Sequence, residues 1–220
     1  MQLLAALALA VAPLAPGHAM AASIVAAPAK PLDQLVALLL PEEQLLGLAM
    51  HTFETTLDRE LSAAVIARHP GLKAHVAAAV RPAFTKAMKK EIPGLRREIR
   101  AVVVAELSAA EIADALVFFA SPTGTKLRTQ IYATMAEKPD QSPDQMQAAI
   151  MAAVMKNMAA ADYPPLLAFG ASPAAARMHT VNPKIAAASK AWSDRLLARH
   201  GKKLRDIAAT ATKTYLKGRN

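Results

Sequence analysis

The stretch ELSAAEIADALVFFASPTGTKL, residues 106–127, decides the fold of this chain. Ser108 and Glu111 have the spacing of a capping box, in which the hydroxyl and the carboxylate each bind a free backbone N–H at a helix start. Ser121 can cap a second helix, with Pro122 in the first turn, where proline is favoured. The stretch therefore predicts two helices joined by a sharp turn, a helical hairpin.

Two adjacent phenylalanines lie at the end of the first helix of this hairpin. On a helix that turns about 100° per residue, Phe119 shares an apolar face with Leu116 and is expected in the core. Phe118 falls instead between the charged side chains of Glu111 and Asp114. Because large apolar groups are usually buried, we expect a further helix to cover Phe118. If Phe118 were exposed, the hairpin would be the best candidate for a recognition surface.

The hairpin also carries a motif in a fixed register. Its residues are Ser108, Glu111, Phe118, Phe119, Ser121, Pro122, Gly124 and Lys126. Through them the chain resembles the bacterial family known as domain of unknown function 2059, in which an S/T-x-x-E start precedes Phe-Tyr-x-Ser-Pro-x-Gly-x-Lys. The resemblance covers about residues 95–158 and departs from the family at Phe119, where the family usually has tyrosine. It implies an exported helical protein and transfers no catalytic residue.

Composition predicts an all-helical fold. Of the 220 residues 54% are hydrophobic, yet the chain has only five Phe, one Trp and three Tyr, and only 8 Gly. Abundant Ala, Leu, Met, Lys and Arg favour helices, and no alternating strand pattern persists. We expect a compact all-α array of about seven or eight helices without a sheet. The absence of cysteine excludes disulfides, thiolate metal sites and a lipid-modified N-terminal cysteine.

Residues 1–22 are typical of a secretory signal peptide. An apolar run from Leu3 to Leu14 precedes small residues, with a cut expected between Ala19 and Ala22. Two prolines and the short length argue against a membrane span, although the usual basic start is missing. We expect a periplasmic or secreted protein; the alternative is a buried apolar N-terminal helix.

The rest of the chain divides into three expected segments. Residues 23–40 are assigned to a linker and a short helix, and residues 41–161 to a helical body that contains the hairpin motif. Residues 162–220 are assigned to a loop followed by a basic C-terminal helical segment.

Proline sites predict helix boundaries inside these segments. Ile92-Pro93-Gly94 is expected to end the helix that begins near Leu72. Pro164-Pro165 predicts a loop over residues 162–169. Ser172-Pro173 is expected to open a short helix and Asn182-Pro183 a separate long one, because serine and asparagine cap helices and proline suits their first turn.

The formal net charge of +9 is unevenly distributed. Residues 1–176 contain fifteen Lys/Arg and fifteen Asp/Glu, whereas residues 177–220 contain eleven Lys/Arg and two Asp. The cations expected to contact an anionic surface are Arg195, Arg199, Lys202 and Lys203. A basic amphipathic helix of this kind can lie on lipid or lipopolysaccharide phosphates. The alternative is that its apolar stripe packs on the protein and its cations only meet solvent. Export argues against a nucleic-acid partner.

Patterns for catalysis and metal binding are weak. The chain has no G-x-S-x-G, S-x-x-K or H-E-x-x-H motif. Thr123 and Lys126 place a hydroxyl near an amine, but such a dyad also needs a cleft and an oxyanion hole, and Lys126 can equally face solvent. Met151, Met155 and Met158 share a helix face and could bind Cu(I) or simply form a core stripe. We expect no catalytic residue, metal or cofactor.

The sequence therefore favours a non-enzymatic binding or interaction module of the cell envelope, with an envelope protein or peptide as partner. Two alternatives stay open. One is peripheral binding to an anionic lipid or lipopolysaccharide surface through the basic C-terminal helix. The other is a hydrolase without a recognised motif.

Overall fold

The computed structural model describes residues 29–60, 63–138 and 141–218. The predicted signal peptide and its cut lie outside these residues. Over the described ranges the chain is helical apart from short connections and contains no strand. This confirms the prediction of an all-α array of about seven or eight helices. Nine α-helical segments are described, and two of them have eight residues or fewer.

The helices follow one another through short connections. They are α1 (Ala29–Leu39), α2 (Glu42–Glu60), α3 (Ala63–Arg68), α4 (Leu72–Glu106), α5 (Ala109–Ala120), α6 (Pro122–Glu137), α7 (Pro143–Asn157), α8 (Tyr163–Gly170) and α9 (Pro173–Lys217), with a 3-10 turn at Ala160–Asp162 before α8. None of the described helices combines the length and the apolar character that crossing a bilayer requires.

The chain forms two compact units that do not follow the order of the sequence. Unit 1 contains the chain through Pro41 together with Gly94–Lys190, and unit 2 contains Glu42–Pro93 together with the chain from Ala191. The long helices α4 and α9 each contribute to both units. The division differs from the expected linear segments because helices that are distant in sequence pack together.

Helix α4 runs without interruption through Ile92-Pro93-Gly94, so the predicted helix end at this site is wrong. Proline in a helix interior removes one backbone hydrogen bond and crowds the carbonyl four residues earlier. Pro93 is exposed, which leaves that carbonyl on a side where water can bind it. A buried apolar stripe runs along α4 on both sides of the proline: Val76, Val80, Met88, Ile92, Leu95 and Ile99. Burial of this stripe outweighs the local cost of Pro93.

Helix α9 is likewise a single helix, and the predicted separate start at Asn182-Pro183 is wrong. Pro183 lies inside α9 and is exposed, whereas Val181 and Ile185 on either side are each 1% exposed. The predicted start at Ser172-Pro173 is present, because the Ser172 hydroxyl accepts a hydrogen bond from the Ala175 N–H at 3.2 Å.

The predicted loop over residues 162–169 is also wrong, because most of it forms α8. Pro164 and Pro165 fall in the first turn of this helix. Backbone N–H groups in a first turn have no partner within the helix, so the two prolines remove nothing that α8 needs.

Unit 1 is built around the hairpin of α5 and α6. Helix α1 packs on α5, α7 packs on α6, and α8 contacts both helices of the hairpin. Its fully buried large side chains include Leu32, Leu35, Leu40, Leu95, Ile99, Ile112, Phe119 and Ile150. The first part of α9 is tied to this unit by ion pairs from Arg177 to Glu111 and from Lys184 to Glu106.

Unit 2 packs the first part of α4 with α2 and the second part of α9. The rings of Phe53 and Phe84 stack with centroids 6.2 Å apart. Gly71, in the turn before α4, has a φ of 94°, a left-handed conformation that favours glycine. The Tyr215 hydroxyl lies over this turn and donates to the Pro70 carbonyl, which ties the end of α9 to the start of α4.

Candidate functional site

The hairpin turn of unit 1 contains both predicted caps. The Glu111 N–H donates to the Ser108 hydroxyl at 3.3 Å, and the Ser108 N–H donates to the Glu111 carboxylate at 2.7 Å. The Gly124 N–H donates to the Ser121 hydroxyl at 3.1 Å, and that hydroxyl donates to the Phe118 carbonyl at 2.6 Å. Together these bonds set the end of α5 against the start of α6.

Gly124 permits this close approach of two backbones. A Cβ at this position would lie 2.1 Å from the Phe118 carbonyl oxygen and 2.7 Å from the Phe119 Cα. The helix that comes close is α5, the preceding helix of the same hairpin. Any side chain here would force α5 and α6 apart.

Phe118 is covered by another helix, as expected, and is 6% exposed. The covering side chain is Phe169 of α8, whose ring stacks on Phe118 with centroids 4.1 Å apart and planes within 3°. Phe119 is fully buried and meets Phe169 edge to face at 5.5 Å. The hairpin therefore does not offer Phe118 as a recognition surface. The sequence did not predict that Phe169 covers Phe118, because residues 162–169 were expected to form a loop. The apolar residues before Phe169 could have indicated a buried helix instead.

Lys126 neither faces open solvent nor forms a dyad with Thr123. Its ammonium bonds the Asp162 carboxylate at 2.6 Å, and the Thr123 hydroxyl donates to the same carboxylate at 3.1 Å. The Ala159 N–H donates to it as well, at 2.8 Å. These donors, the Lys126 ammonium first, hold the pKa of Asp162 below its usual value. The Thr123 hydroxyl is thus directed at Asp162 and not at Lys126, and the contacts join α6 to the start of α8.

The methionines of α7 do not converge on one point. Met155 is 57% exposed, Met151 is half-buried, and Met158 is buried beyond the helix end. No group of three or more histidine, aspartate or glutamate side chains with metal-site geometry occurs in the part of the chain that the structure describes.

The second part of α9 buries its apolar stripe within unit 2. Trp192 and Leu196 are 4% and 8% exposed, and Ala211 is 6% exposed. The Trp192 indole N–H donates to the Glu91 backbone carbonyl of α4 at 3.0 Å. This agrees with the alternative in which the stripe packs on the protein, and it leaves only the charged side of α9 for contact with a partner.

The side chain of Glu91 contacts two side chains of α9, Arg199 and His200. Its carboxylate accepts hydrogen bonds from Arg199 at 2.8 Å and pairs with the His200 Nε2 at 3.1 Å. The hydrogen bond from His200 and the nearby charge of Arg199 lower the pKa of Glu91, against the opposing effect of burial. The cluster joins residues more than a hundred positions apart, so no pattern in the sequence predicted it.

The four predicted surface cations are all exposed, but they are not equally available. Arg199 is engaged by Glu91, and Lys202 pairs with Asp206 at 2.9 Å along the same helix. Lys203 has no hydrogen bond or ion pair with any described residue. Exposed pairs such as Lys202–Asp206 are weak and are screened by salt, so this lysine can still turn toward an anionic partner.

Unit 2 holds most of the positive charge of the chain. Its two segments contain fifteen Lys/Arg and eight Asp/Glu, a net +7 of the total +9. Lys86 and Lys90 of α4 are exposed, and Lys90 lies near enough to Glu91 to lower its pKa. We call the following exposed cations of these parts of α4 and α9 the basic face: Lys86, Lys90, Arg195, Arg199, Lys202 and Lys203. The sequence missed the α4 members because a linear count left residues 1–176 neutral.

Unit 2 also has an open groove of about 290 Å³. It is lined by three alanines of α4, by Lys73 and Arg81 of the same helix, and by Glu54 of α2. Arg81 is bound to Glu54 at 3.0 Å, so this guanidinium is already neutralised at the groove.

Protein-family models, curated proteins and solved structures were compared with the chain, and none of them matches it. The resemblance of the hairpin to domain of unknown function 2059 therefore depends on the motif residues alone.

Proposed function

We propose that this protein is a non-enzymatic binding module of the cell envelope, and that the basic face of unit 2 binds anionic phospholipid surfaces. The observation that carries the proposal is the concentration of charge. Unit 2 has a net +7, and the cations of the basic face are exposed on two helices that the Glu91–Arg199 contact joins. Clustered Lys and Arg side chains attract anionic lipid head groups, each by about 1 kcal/mol near the surface.

The mode of binding is peripheral and electrostatic. Because Trp192 and Leu196 are buried in unit 2, α9 has no free apolar face to insert among acyl chains. The binding energy comes from the charges, and it falls steeply as salt screens them.

Export and family membership are parts of the same proposal. The signal-peptide pattern of residues 1–22 supports a periplasmic or secreted location, where membrane phosphates are exposed. The motif from Ser108 to Lys126 supports kinship with domain of unknown function 2059. The contacts of Thr123 and Lys126 with Asp162 do not favour the hydrolase alternative.

Vesicle sedimentation tests the proposal. We expect the protein to sediment at low salt with vesicles of phosphatidylcholine and phosphatidylglycerol, to stay in solution with phosphatidylcholine alone, and to be released at high salt. The pair of substitutions Lys202→Glu and Lys203→Glu is expected to weaken binding about tenfold or more, because each reversal replaces an attraction by a repulsion.

The matched control makes the same change in charge on unit 1. Lys138→Glu and Lys156→Glu alter two exposed lysines outside the basic face and are expected to weaken binding much less. Absence of binding at low salt, or equal loss in both double variants, would contradict the proposal. Binding to duplex DNA or to an acidic envelope protein without vesicle binding would replace it with that partner.

A further inference from the structure

Helix α1, which we call the arm, packs on α5 and belongs to a different unit from α2, the helix that follows it in sequence. After Pro41, unit 1 resumes only at Gly94, more than fifty positions later. The apolar face of α1 is nevertheless fully used, since the following side chains are at most 5% exposed: Leu32, Leu35, Val36, Leu39 and Leu40. These side chains pack α1 against α5, in a groove that is formed by helices later in the chain.

Three side chains of that groove bind the last carbonyls of the arm. Arg128 donates to the Leu38 carbonyl at 2.8 Å, Tyr132 to that of Leu39 at 2.8 Å, and Arg96 to that of Leu40 at 2.9 Å. The final carbonyls of a helix have no partner within it and carry partial negative charge, which suits two guanidiniums and a hydroxyl. We call Arg96, Arg128 and Tyr132 the carbonyl latch.

An ion pair also holds α1 in the groove, and it requires opposite charges on α1 and on α4. The Arg100 guanidinium of α4 binds the Asp33 carboxylate of α1 at 2.9 Å. The groove thus recognises α1 by its apolar face, its terminal carbonyls and one acidic side chain. All three features are the same in any copy of α1, whichever chain it belongs to.

The connection after the arm is short and suited to opening. Only Leu40 and Pro41 separate α1 from α2, and α2 belongs to unit 2. A residue before proline is disfavoured in the helical conformation and prefers an extended one. Leu40 therefore keeps α1 and α2 from merging into one helix, and a changed backbone conformation at this connection can direct α1 away from its own chain. Short connectors of this kind promote exchange of an element between copies.

We propose that α1 is exchanged between two copies of this chain, each placing its α1 in the unit 1 groove of the other. The exchanged dimer keeps every contact of the latch, the apolar face and the Asp33–Arg100 pair, so only the freedom lost on association opposes it. Its population therefore rises with protein concentration. The inference does not depend on the binding of anionic surfaces.

Two opposite charge reversals test the exchange in the full chain. The Asp33→Arg chain has a basic arm and a basic groove, and the Arg100→Asp chain has an acidic arm and an acidic groove. When the two chains are refolded together, both arms find an oppositely charged groove only in the mixed, exchanged dimer. We expect native mass spectrometry to show more mixed dimer than the half that random pairing gives.

Two further measurements on the same chain complete the test. The wild-type protein is expected to form a concentration-dependent dimer on size-exclusion chromatography with light scattering. Insertion of a flexible Gly-Ser tetrapeptide between Leu40 and Pro41 is expected to reduce the dimer at least severalfold, because it removes the restraint of the short connection on α1 while α1 lies on its own unit. The insertion also tests the proposal if either charge-reversed chain fails to fold.

The opposing outcomes are equally definite. A wild-type protein that remains monomeric at every concentration after refolding would overturn the proposal. The proposal would also be overturned if the charge-reversed chains pair at random and the insertion leaves the amount of dimer unchanged. Dimerisation would then be assigned to another surface. The doubly substituted chain Asp33→Arg with Arg100→Asp restores opposite charges within one chain. In a mixture with wild-type copies it is expected to give less mixed dimer than random pairing, because each exchanged arm would then meet a groove of like charge.

Discussion

Gly124 determines how closely the two helices of the hairpin can approach. We expect Gly124→Ala to destabilise the protein by about 3 kcal/mol, because its Cβ would lie 2.1 Å from a backbone oxygen that cannot move without opening the turn. Urea denaturation followed by circular dichroism measures the change. Gly47→Ala is the control, since nothing lies within 4 Å of a Cβ there and alanine favours helix α2 by about 1 kcal/mol. If Gly124→Ala lowers the free energy of unfolding no more than Gly47→Ala does, the close approach of α5 and α6 does not require glycine at position 124.

Residues whose role is local were the ones that the sequence predicted. The caps at Ser108 and Ser121 act over three positions, so their spacing alone identifies them. The burial of Phe118 also followed from local reasoning, because a large apolar group between two acids needs a cover. Its actual cover, Phe169, lies fifty-one positions away, and nothing near Phe118 identifies it.

Helices α4 and α9 show where reasoning from proline fails. The cost of a proline inside a helix is local, whereas the burial that offsets it is contributed by side chains of other elements. Pro93 and Pro183 both lie on exposed sides of long helices with buried residues before and after them. The sequence shows where each proline lies but not what the helix packs against. It therefore predicted helix boundaries at Pro93 and Pro183 that the protein does not have.

The cost of Pro93 is measurable. We expect Pro93→Ala to stabilise the protein by about 1–3 kcal/mol, because it restores a helix hydrogen bond and removes the clash within α4. The same substitution at Pro122, the first residue of α6, is expected to bring no gain, since proline is favoured there. Thermal unfolding of both variants beside the wild type gives the comparison. A destabilising effect of Pro93→Ala would contradict the expected cost of the proline and would show that Pro93 stabilises α4.

At the scale of the whole molecule, Glu91 links α4 to α9 within unit 2, and its titration makes stability depend on pH. Its pKa is lower in the folded protein than in the unfolded chain, so it contributes stability above the unfolded value, and that contribution is lost as the pH falls through the folded value. We expect Glu91→Gln to be less stable than the wild type near neutral pH and to approach it in acid.

Urea titrations across the acid range test this dependence. Glu43→Gln removes the charge of an exposed carboxylate of α2 that has no hydrogen bond or ion pair among the described residues, and it is the control for the loss of one negative charge. A difference for Glu91→Gln that stays the same at every pH would show that its hydrogen bonds with Arg199 and His200 do not favour the ionised carboxylate.

The division of the chain between two units also governs the order in which they can form during synthesis. Unit 2 needs Trp192 and Arg199 against Glu91, so its core stays open until the ribosome has added more than a hundred residues beyond Glu91. Likewise, α1 emerges long before the groove that receives it. A nascent chain of this protein therefore carries unpaired helices for most of its translation. No shortened transcript that ends before α9 would encode a finished copy of either unit.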